Sequence, residues 1–204
     1  ESVMGGTGSR AIEDGGPTTG MFIFTGANTY TGDTTIDGVP LQISGTGTLG
    51  SGNYAGAIVN NTTLTYSSSS DQTLSGVISG GGDLIKDTSS SSTLSLPGEP
   101  YNGDTTVSAG TLSVGAGGTD GSINTASAIS VASGATFAVN QSDTVTQGTE
   151  FSGSGFATAG AFAQNGSGTT ILNTANTFGG TVAVNAGTLQ VASSGSVGWS
   201  NDVT

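Results

Sequence analysis

Apolar residues along this chain recur in short alternating runs: Leu41-x-Ile43, Leu64-x-Tyr66, Leu112-x-Val114, Phe137-x-Val139 and Leu189-x-Val191. Alternation at period two predicts half-buried strands, with Leu112 and Val114 on one face and Thr111 and Ser113 on the other. A further apolar residue leads each run. It stands five residues ahead in Ile36/Leu41, Val59/Leu64, Val107/Leu112 and Val184/Leu189, and six ahead in Val131/Phe137. Successive leading residues are 23, 48, 24 and 53 positions apart, so most steps lie near multiples of 24. The longest fully apolar run, Met21-Phe22-Ile23-Phe24, is far too short to cross a bilayer as a helix.

A longer repeat overlies the short one. Tyr30–Ile43, Tyr101–Val114 and Phe178–Val191 align with one another without gaps. Each opens on an aromatic residue, with a glycine two positions later (Gly32, Gly103, Gly180), then a β-branched residue, a small-residue corner and Leu-x-Ile/Val. Short strands joined by Gly and Asn corners at a fixed period predict a parallel β-solenoid. Each coil would hold two or three strands, and glycines would supply positive φ at the corners. At about 4.8 Å per coil, the chain would make roughly eight coils and a rod about 40 Å long. In this arrangement Leu41, Leu64, Leu112 and Leu189 stack over one another inside the tube.

Composition supports a thin interior. Of 204 residues, 99 are Gly, Ser or Thr and only 33% are apolar, too few for a thick two-layer core. A narrow tube needs one inward stripe per strand and tolerates outward Ser and Thr. Charge narrows the functional classes. Fourteen acids against Lys86 and Arg10 give a net charge of −12, which excludes counterion-displacing nucleic-acid binding and disfavours anionic membranes. With no Cys and no His, thiolate or imidazole zinc sites and Ser-His-Asp or Cys-His nucleophiles are excluded. Lack of Cys also suits a chain that must stay unlinked through an oxidising compartment.

The residues resemble a known family, the passenger-associated transport repeat, or autotransporter-associated β-strand repeat. Its core is echoed by Phe24-Thr-Gly-Ala-Asn-Thr-Tyr-Thr-Gly-Asp-Thr-Thr-Ile36 and by Asn173-Thr-Ala-Asn-Thr-Phe-Gly-Gly-Thr-Val-Ala-Val184. Its lead-in is echoed by Leu74-Ser-Gly-Val-Ile-Ser-Gly-Gly-Gly-Asp-Leu-Ile-Lys86 and Ser92-Thr-Leu-Ser-Leu96. Pro40, Pro97 and Pro100 depart from the pattern. The resemblance implies an all-β, right-handed parallel β-helix in the exported passenger of a bacterial surface protein, helped outward by coil-by-coil folding.

Candidate sites are few. Asp33 and Asp104 occupy equivalent repeat positions, and stacked carboxylates are a possible Ca²⁺ site. About three coils, roughly 14 Å, would separate them, so solvated turn residues are expected. Gly80-Gly-Gly-Asp-Leu-Ile85 is one imperfect copy of a calcium nonapeptide and reads better as a corner. Lys86, flanked by Asp83 and Asp87, is expected to form an exposed charge pair worth at most about 1 kcal/mol. A glycosidase carboxylate pair could come from residues such as Asp71, Asp83, Asp87 and Asp104, but such sites generally add Arg, Lys or His and sugar-stacking aromatics, so catalysis is not expected. Tyr30, Tyr101 and Phe178 form either a sugar-binding stripe or, by their place in the repeat, a packing column; Trp199 is the sole Trp. Asn-x-Ser/Thr triplets at Asn60, Asn61, Asn140 and Asn165 are expected by chance among 62 Ser and Thr.

Residues 1–20 read as a Gly-rich arm, held against the solenoid wall or a neighbouring subunit. Residues 21–204 read as a solenoid of three units, about 21–95, 96–172 and 173–204. With neither a leader nor a tail signature, the chain reads as a segment cut or processed from something longer. The function expected is that of a non-enzymatic extracellular structural or adhesive element at the bacterial surface. It would have no catalytic or cofactor residues, no nucleic-acid partner and no membrane insertion, and would contact host or matrix glycan or protein. Alternatives are a filament subunit stacked head to tail through the solenoid ends and the arm, and a glycan-active β-helix enzyme.

Overall fold

The structure is a computed structural model that describes residues 3–13, 20–87, 91–97, 102–121, 128–147, 160–174, 176 and 179–193. Among these, the only helical element is a single 3₁₀ turn at Gly50–Gly52, and every strand pairing is parallel. Four sheets result. The first stacks β1 (Arg10–Ile12), β3 (Thr34–Ile36), β6 (Ile58–Asn60) and β9 (Ile78–Ser79). The second stacks β2 (Phe22–Phe24), β4 (Leu41–Gly45), β7 (Thr63–Ser68), β10 (Asp83–Lys86), β12 (Thr105–Val107) and β14 (Ile129–Val131). The third, seven strands deep, holds β5 (Asn53–Tyr54), β8 (Gln72–Leu74), β11 (Thr93–Leu96), β13 (Thr111–Val114), β15 (Thr136–Val139), β17 (Ala161–Gln164) and β19 (Val182–Val184). The fourth holds β16 (Thr144–Thr146), β18 (Thr169–Leu172) and β20 (Thr188–Val191).

Chain order visits the second sheet, then the third, then the first, and repeats: β4, β5, β6, then β7, β8, β9. After β15 and β17 the fourth sheet takes the first sheet's place in that order. The described residues therefore form a β-solenoid of about seven turns, with three strands in the coils β4–β6, β7–β9 and β14–β16 and described strands that alternate between the second and third sheets from β10 to β13. This agrees with the expected solenoid of roughly eight coils; the third sheet begins at Asn53, and the first coil enters through β1 and β2. Coils are unequal in length: the register step from Thr93 to Thr111 is shorter than the step from Thr111 to Thr136.

Inward residues form continuous columns. Phe22, Leu41, Leu64, Leu84, Thr105 and Ile129 make one in the second sheet, and Phe24, Ile43, Tyr66, Lys86, Val107 and Val131 make the next. In the third sheet Leu94, Leu112, Phe137, Phe162 and Val182 stack, with the two phenyl rings 6.4 Å apart. Each fully buried Leu contributes about 1.5–3 kcal/mol relative to exposure, so the columns are the core.

The stacking differs from the expectation in one respect. Leu41 and Leu64 are register partners, but Leu112 lies in the third sheet, and half-buried Leu189 lies in the fourth beside Thr170. Thr105 is three coils beyond Leu41, and from there the chain rounds a corner before it reaches Leu112. Val182 is likewise three coils beyond Leu112, and a further corner leads to Leu189. One long repeat is thus three coils plus one side, and the motif steps round the tube.

Two kinds of glycine make the corners. Gly110 and Gly187 have φ of 71° and 63°, a left-handed conformation that L side chains rarely adopt. Gly32 and Gly103 do not have positive φ; a Cβ there would lie 2.4 Å from Gly8 C and 1.9 Å from Gly82 O respectively. At this turn of the repeat, glycine is needed because the backbone of the preceding coil touches it.

Candidate functional site

The acidic residues singled out by sequence work at coil junctions. Asp33 Oδ1 accepts the backbone N–H of Ala57 at 2.9 Å, Asp71 Oδ1 that of Thr93 at 2.8 Å, Asp83 Oδ1 that of Asp104 at 3.0 Å, and Asp104 Oδ1 that of Ala128 at 3.0 Å. In each case an exposed carboxylate just before or at a strand's start satisfies an N–H near the corresponding strand's start one coil later. Asp33 precedes β3 of the first sheet and Asp104 precedes β12 of the second, so the structure does not bring the two together. Asp83 and Asp104 are neighbours, joined carboxylate to backbone. No group of three or more carboxylates converges among the described residues.

Lys86 departs from the expected exposed pair. It is fully buried, two positions after Leu84 on β10 and on the same inward face. Its Nζ donates to Ala109 O at 3.2 Å and lies 5.9 Å from the Tyr66 ring centroid. Burial pushes its pKa down, against the opposing pull of Asp87 and Asp71. Period-two alternation through Leu84-Ile85-Lys86 carried this placement, while the charge argued for the outside.

Tyr30 is buried, as a packing position requires. Its hydroxyl bonds Thr34 Oγ1 at 2.8 Å, which in turn bonds the Tyr54 hydroxyl at 2.7 Å, and Tyr54 donates to Gly32 O. Arg10 lies over the Tyr30 ring, 5.1 Å from its centroid, and donates to Gly5 O, Gly8 O and Ser9 O. The two tyrosine rings meet edge to face at 5.4 Å. Desolvation raises the pKa of Tyr30, Tyr54 and Tyr66. Tyr101, Phe178, Trp199 and Pro100 lie outside the described residues. Of the Asn-x-Ser/Thr asparagines, Asn60 is buried and donates to Asp83 O at 2.9 Å. Asn61 and Asn165 are exposed, Asn140 is half-buried, and Asn165 Oδ1 accepts from Asn185 Nδ2 at 2.7 Å.

Buried glutamines went unnoticed in the sequence. Gln72 imitates a peptide unit: its Oε1 accepts Leu49 N–H at 2.8 Å while its Nε2 donates to Leu49 O at 3.1 Å. Gln147 and Asn176 pair amide to amide at 2.6 and 3.1 Å, and Gln164 Oε1 accepts from Thr170 Oγ1 at 2.5 Å. These amides satisfy buried backbone and side-chain groups inside the tube. Nothing in polar residue type alone separates them from surface glutamines; only their coil position does.

Polar side chains, interspersed with Ile23 and Ile85, make up the outer wall of the second sheet. In the second sheet Gln42, Thr65, Ile85, Thr106 and Ser130 form one outward column, each half-buried by its neighbours. Ser130 Oγ donates to Thr106 Oγ1 at 3.3 Å along it. Such a wall offers repeated hydroxyls and backbone-spaced contacts rather than a cleft. No helix among the described residues is long and apolar enough to cross a membrane.

Fold and surface together define a parallel β-solenoid repeat protein whose units are offset by one side per repeat. Residues 19–38, 89–114 and 162–191 match the passenger-associated transport repeat, and these segments include or overlap the three aligned units. At these three segments the chain is similar to proteins that carry this repeat. It is also similar to the adhesin BmaC autotransporter of Brucella suis biovar 1 (strain 1330), 36% identical over 130 residues. That alignment covers 52% of this chain and 4% of the relative, so the chain spans a small part of the relative's length. No solved structure matches.

Proposed function

We propose that this solenoid is an adhesive stretch of an exported, autotransporter-type passenger, acting outside the bacterial cell and without catalysis. The observation that carries the reading is the coincidence of three transport repeats with a coil-on-coil parallel stack, in a chain similar to an autotransporter adhesin. Each coil needs only its neighbour for burial, so coils can fold one after another as the chain emerges. The acids hold successive coils together, and the Ser/Thr wall is left for contact with a host or matrix glycan or protein. Binding of the purified chain to glycan and matrix-protein arrays tests this. Saturable binding to a defined class is expected; no binding to any surface, or turnover of an arrayed glycan, counts against it.

A further inference from the structure

Of the four Asn-x-Ser/Thr triplets, the fold leaves one acceptor open. Asn60 is buried, and its Nδ2 donates to Asp83 O at 2.9 Å. Asn140 is half-buried. Asn165 is exposed, but its Oδ1 accepts from Asn185 Nδ2 at 2.7 Å. Beside it the coils close to backbone contact, since a Cβ on Gly166 would lie 2.0 Å from Gln141 O. Asn61 differs. Its side chain is exposed and makes no hydrogen bond among the described residues. Its backbone N–H donates to Ile36 O at 2.9 Å and holds the residue at the corner between β6 and β7. The matching corner of the next coil, between β9 and β10, is Gly80-Gly81-Gly82. Gly80 lies against the Asn61 amide, because a Cβ there would be 3.0 Å from Asn61 Oδ1. Gly81 has nothing within 4 Å of the place its Cβ would take. Three residues without side chains thus leave an open shelf beside this free amide.

We propose that Asn61 is an N-glycosylation site, the acceptor for a sugar carried on a diphosphate, with Thr63 as the hydroxyl residue of the triplet. The site goes beyond the adhesive reading and stands without it. In the transfer, Asn61 Nδ2 attacks the anomeric carbon of the sugar. The new C–N bond forms as the C–O bond to the diphosphate breaks, the diphosphate leaves with the electron pair, and one Nδ2 proton passes to a base of the transferase. The triplets look alike in an unfolded chain, and coil stacking then separates them. A sugar on Asn60 would have to lie inside the tube and would displace the bond to Asp83 O. A sugar on Asn61 lies over the glycine shelf and leaves the bonds of both neighbouring coils in place, whether it is added before or after folding.

Mass spectrometry of the full chain recovered from the cell that makes it, intact and as peptides, tests the modification. A sugar increment on the peptide that holds Asn61 is expected, lost in Asn61→Gln and in Thr63→Ala and kept in Thr63→Ser and in Asn165→Gln. A single hexose identifies a nucleotide-linked donor, and a preassembled oligosaccharide a lipid-linked one. An unmodified chain, or sugar confined to the other three triplets, overturns the proposal. The openness of the corner has its own test, because the chain has no Cys. Asn61→Cys should react with a polymer-bearing maleimide at the rate of a free thiol, and should keep the wild-type circular dichroism and melting midpoint once labelled. Asn60→Cys should react about a hundredfold more slowly or less, since it waits on local opening. Slow labelling of Asn61→Cys, or loss of the fold on labelling, overturns the proposal as well.

Discussion

Replacing Gly103 by alanine would place a methyl group 1.9 Å from Gly82 O, 2.4 Å from Gly82 C and 2.9 Å from Asp83 N. All three are backbone atoms of the adjacent coil, so no side chain can swing aside. Relief requires the coils to part by more than an ångström at a spacing of about 4.8 Å. Bonds beside the contact include Asn102 N–H to Gly80 O at 3.2 Å, Asp104 N–H to Asp83 Oδ1 at 3.0 Å and Leu84 N–H to Asp104 O at 2.9 Å. Losing one of them leaves a buried group unsatisfied, about 1–3 kcal/mol, and the overpacking adds about 1–3 kcal/mol. Gly103→Ala is therefore expected to destabilise by about 2–6 kcal/mol. Gly81→Ala is the control: its Cβ would meet nothing within 4 Å, and its φ is not positive. Its effect should fall within about 0.5 kcal/mol of zero, or be mildly stabilising through the unfolded state. Urea denaturation followed by far-ultraviolet circular dichroism gives both values. Because solenoids can open locally, amide exchange at Leu84 reports the affected junction directly. Equal stability of the two variants, with Leu84 exchange unchanged, would refute the close-approach account of the repeat's turn glycine.

Other expectations concern charge and polar contacts. Asp104→Ala should cost about 0.5–1.5 kcal/mol by removing the acceptor for Ala128 N–H, and Asp104→Asn less, since an amide oxygen still accepts; urea titration distinguishes them. Lys86 has its pKa lowered in the folded chain, so between that value and the unfolded value near ~10.4 the unfolded state binds more protons, and this lysine makes stability rise with pH. Lys86→Met should abolish that rise; an identical pH dependence in both proteins would show that Lys86 contributes none of it. Tyr30, Tyr54 and Tyr66 have raised pKa values, so their contribution is intact below the ordinary value of about 10 and is lost as pH climbs through the folded values. Thermal melts above that pH should show a falling midpoint, with the tyrosinate absorbance of these three residues appearing on unfolding. Gln72→Leu should destabilise by about 1–3 kcal/mol, measured by urea titration, because both polar groups of Leu49 lose their partner.

Much of the architecture was legible from local pattern. Alternation identified the strands and the inward Leu-x-Ile/Val pairs, and their recurrence at a nearly steady interval pointed to a parallel coil rather than a sandwich. Packing of Tyr30 followed from its place in the repeat. Asp33 and Asp104 were recognised as turn residues, but their bonds to the next coil were not, because each acceptor's partner lies a whole coil further along the chain. Lys86 shows the limit most clearly. Its charge and its acidic neighbours argued for an exposed pair, whereas the strand register that pairs it with Tyr66 and Val107 turns it inward.

By itself, then, the sequence determined the strand as the local unit, coil stacking as the way to bury a thin apolar content, and the polar outer wall. Those properties follow from side-chain alternation and nearest-neighbour burial, which are written residue by residue. Tertiary structure alone decided which side of the tube each repeat occupies, and so which equivalent residues meet. The unequal coils, short from Thr93 to Thr111 and long from Thr111 to Thr136, are defined by which strand residues pair across neighbouring coils. Their accumulated remainder, one side of the tube in each long repeat, turns Leu112 and Leu189 away from the column of Leu41.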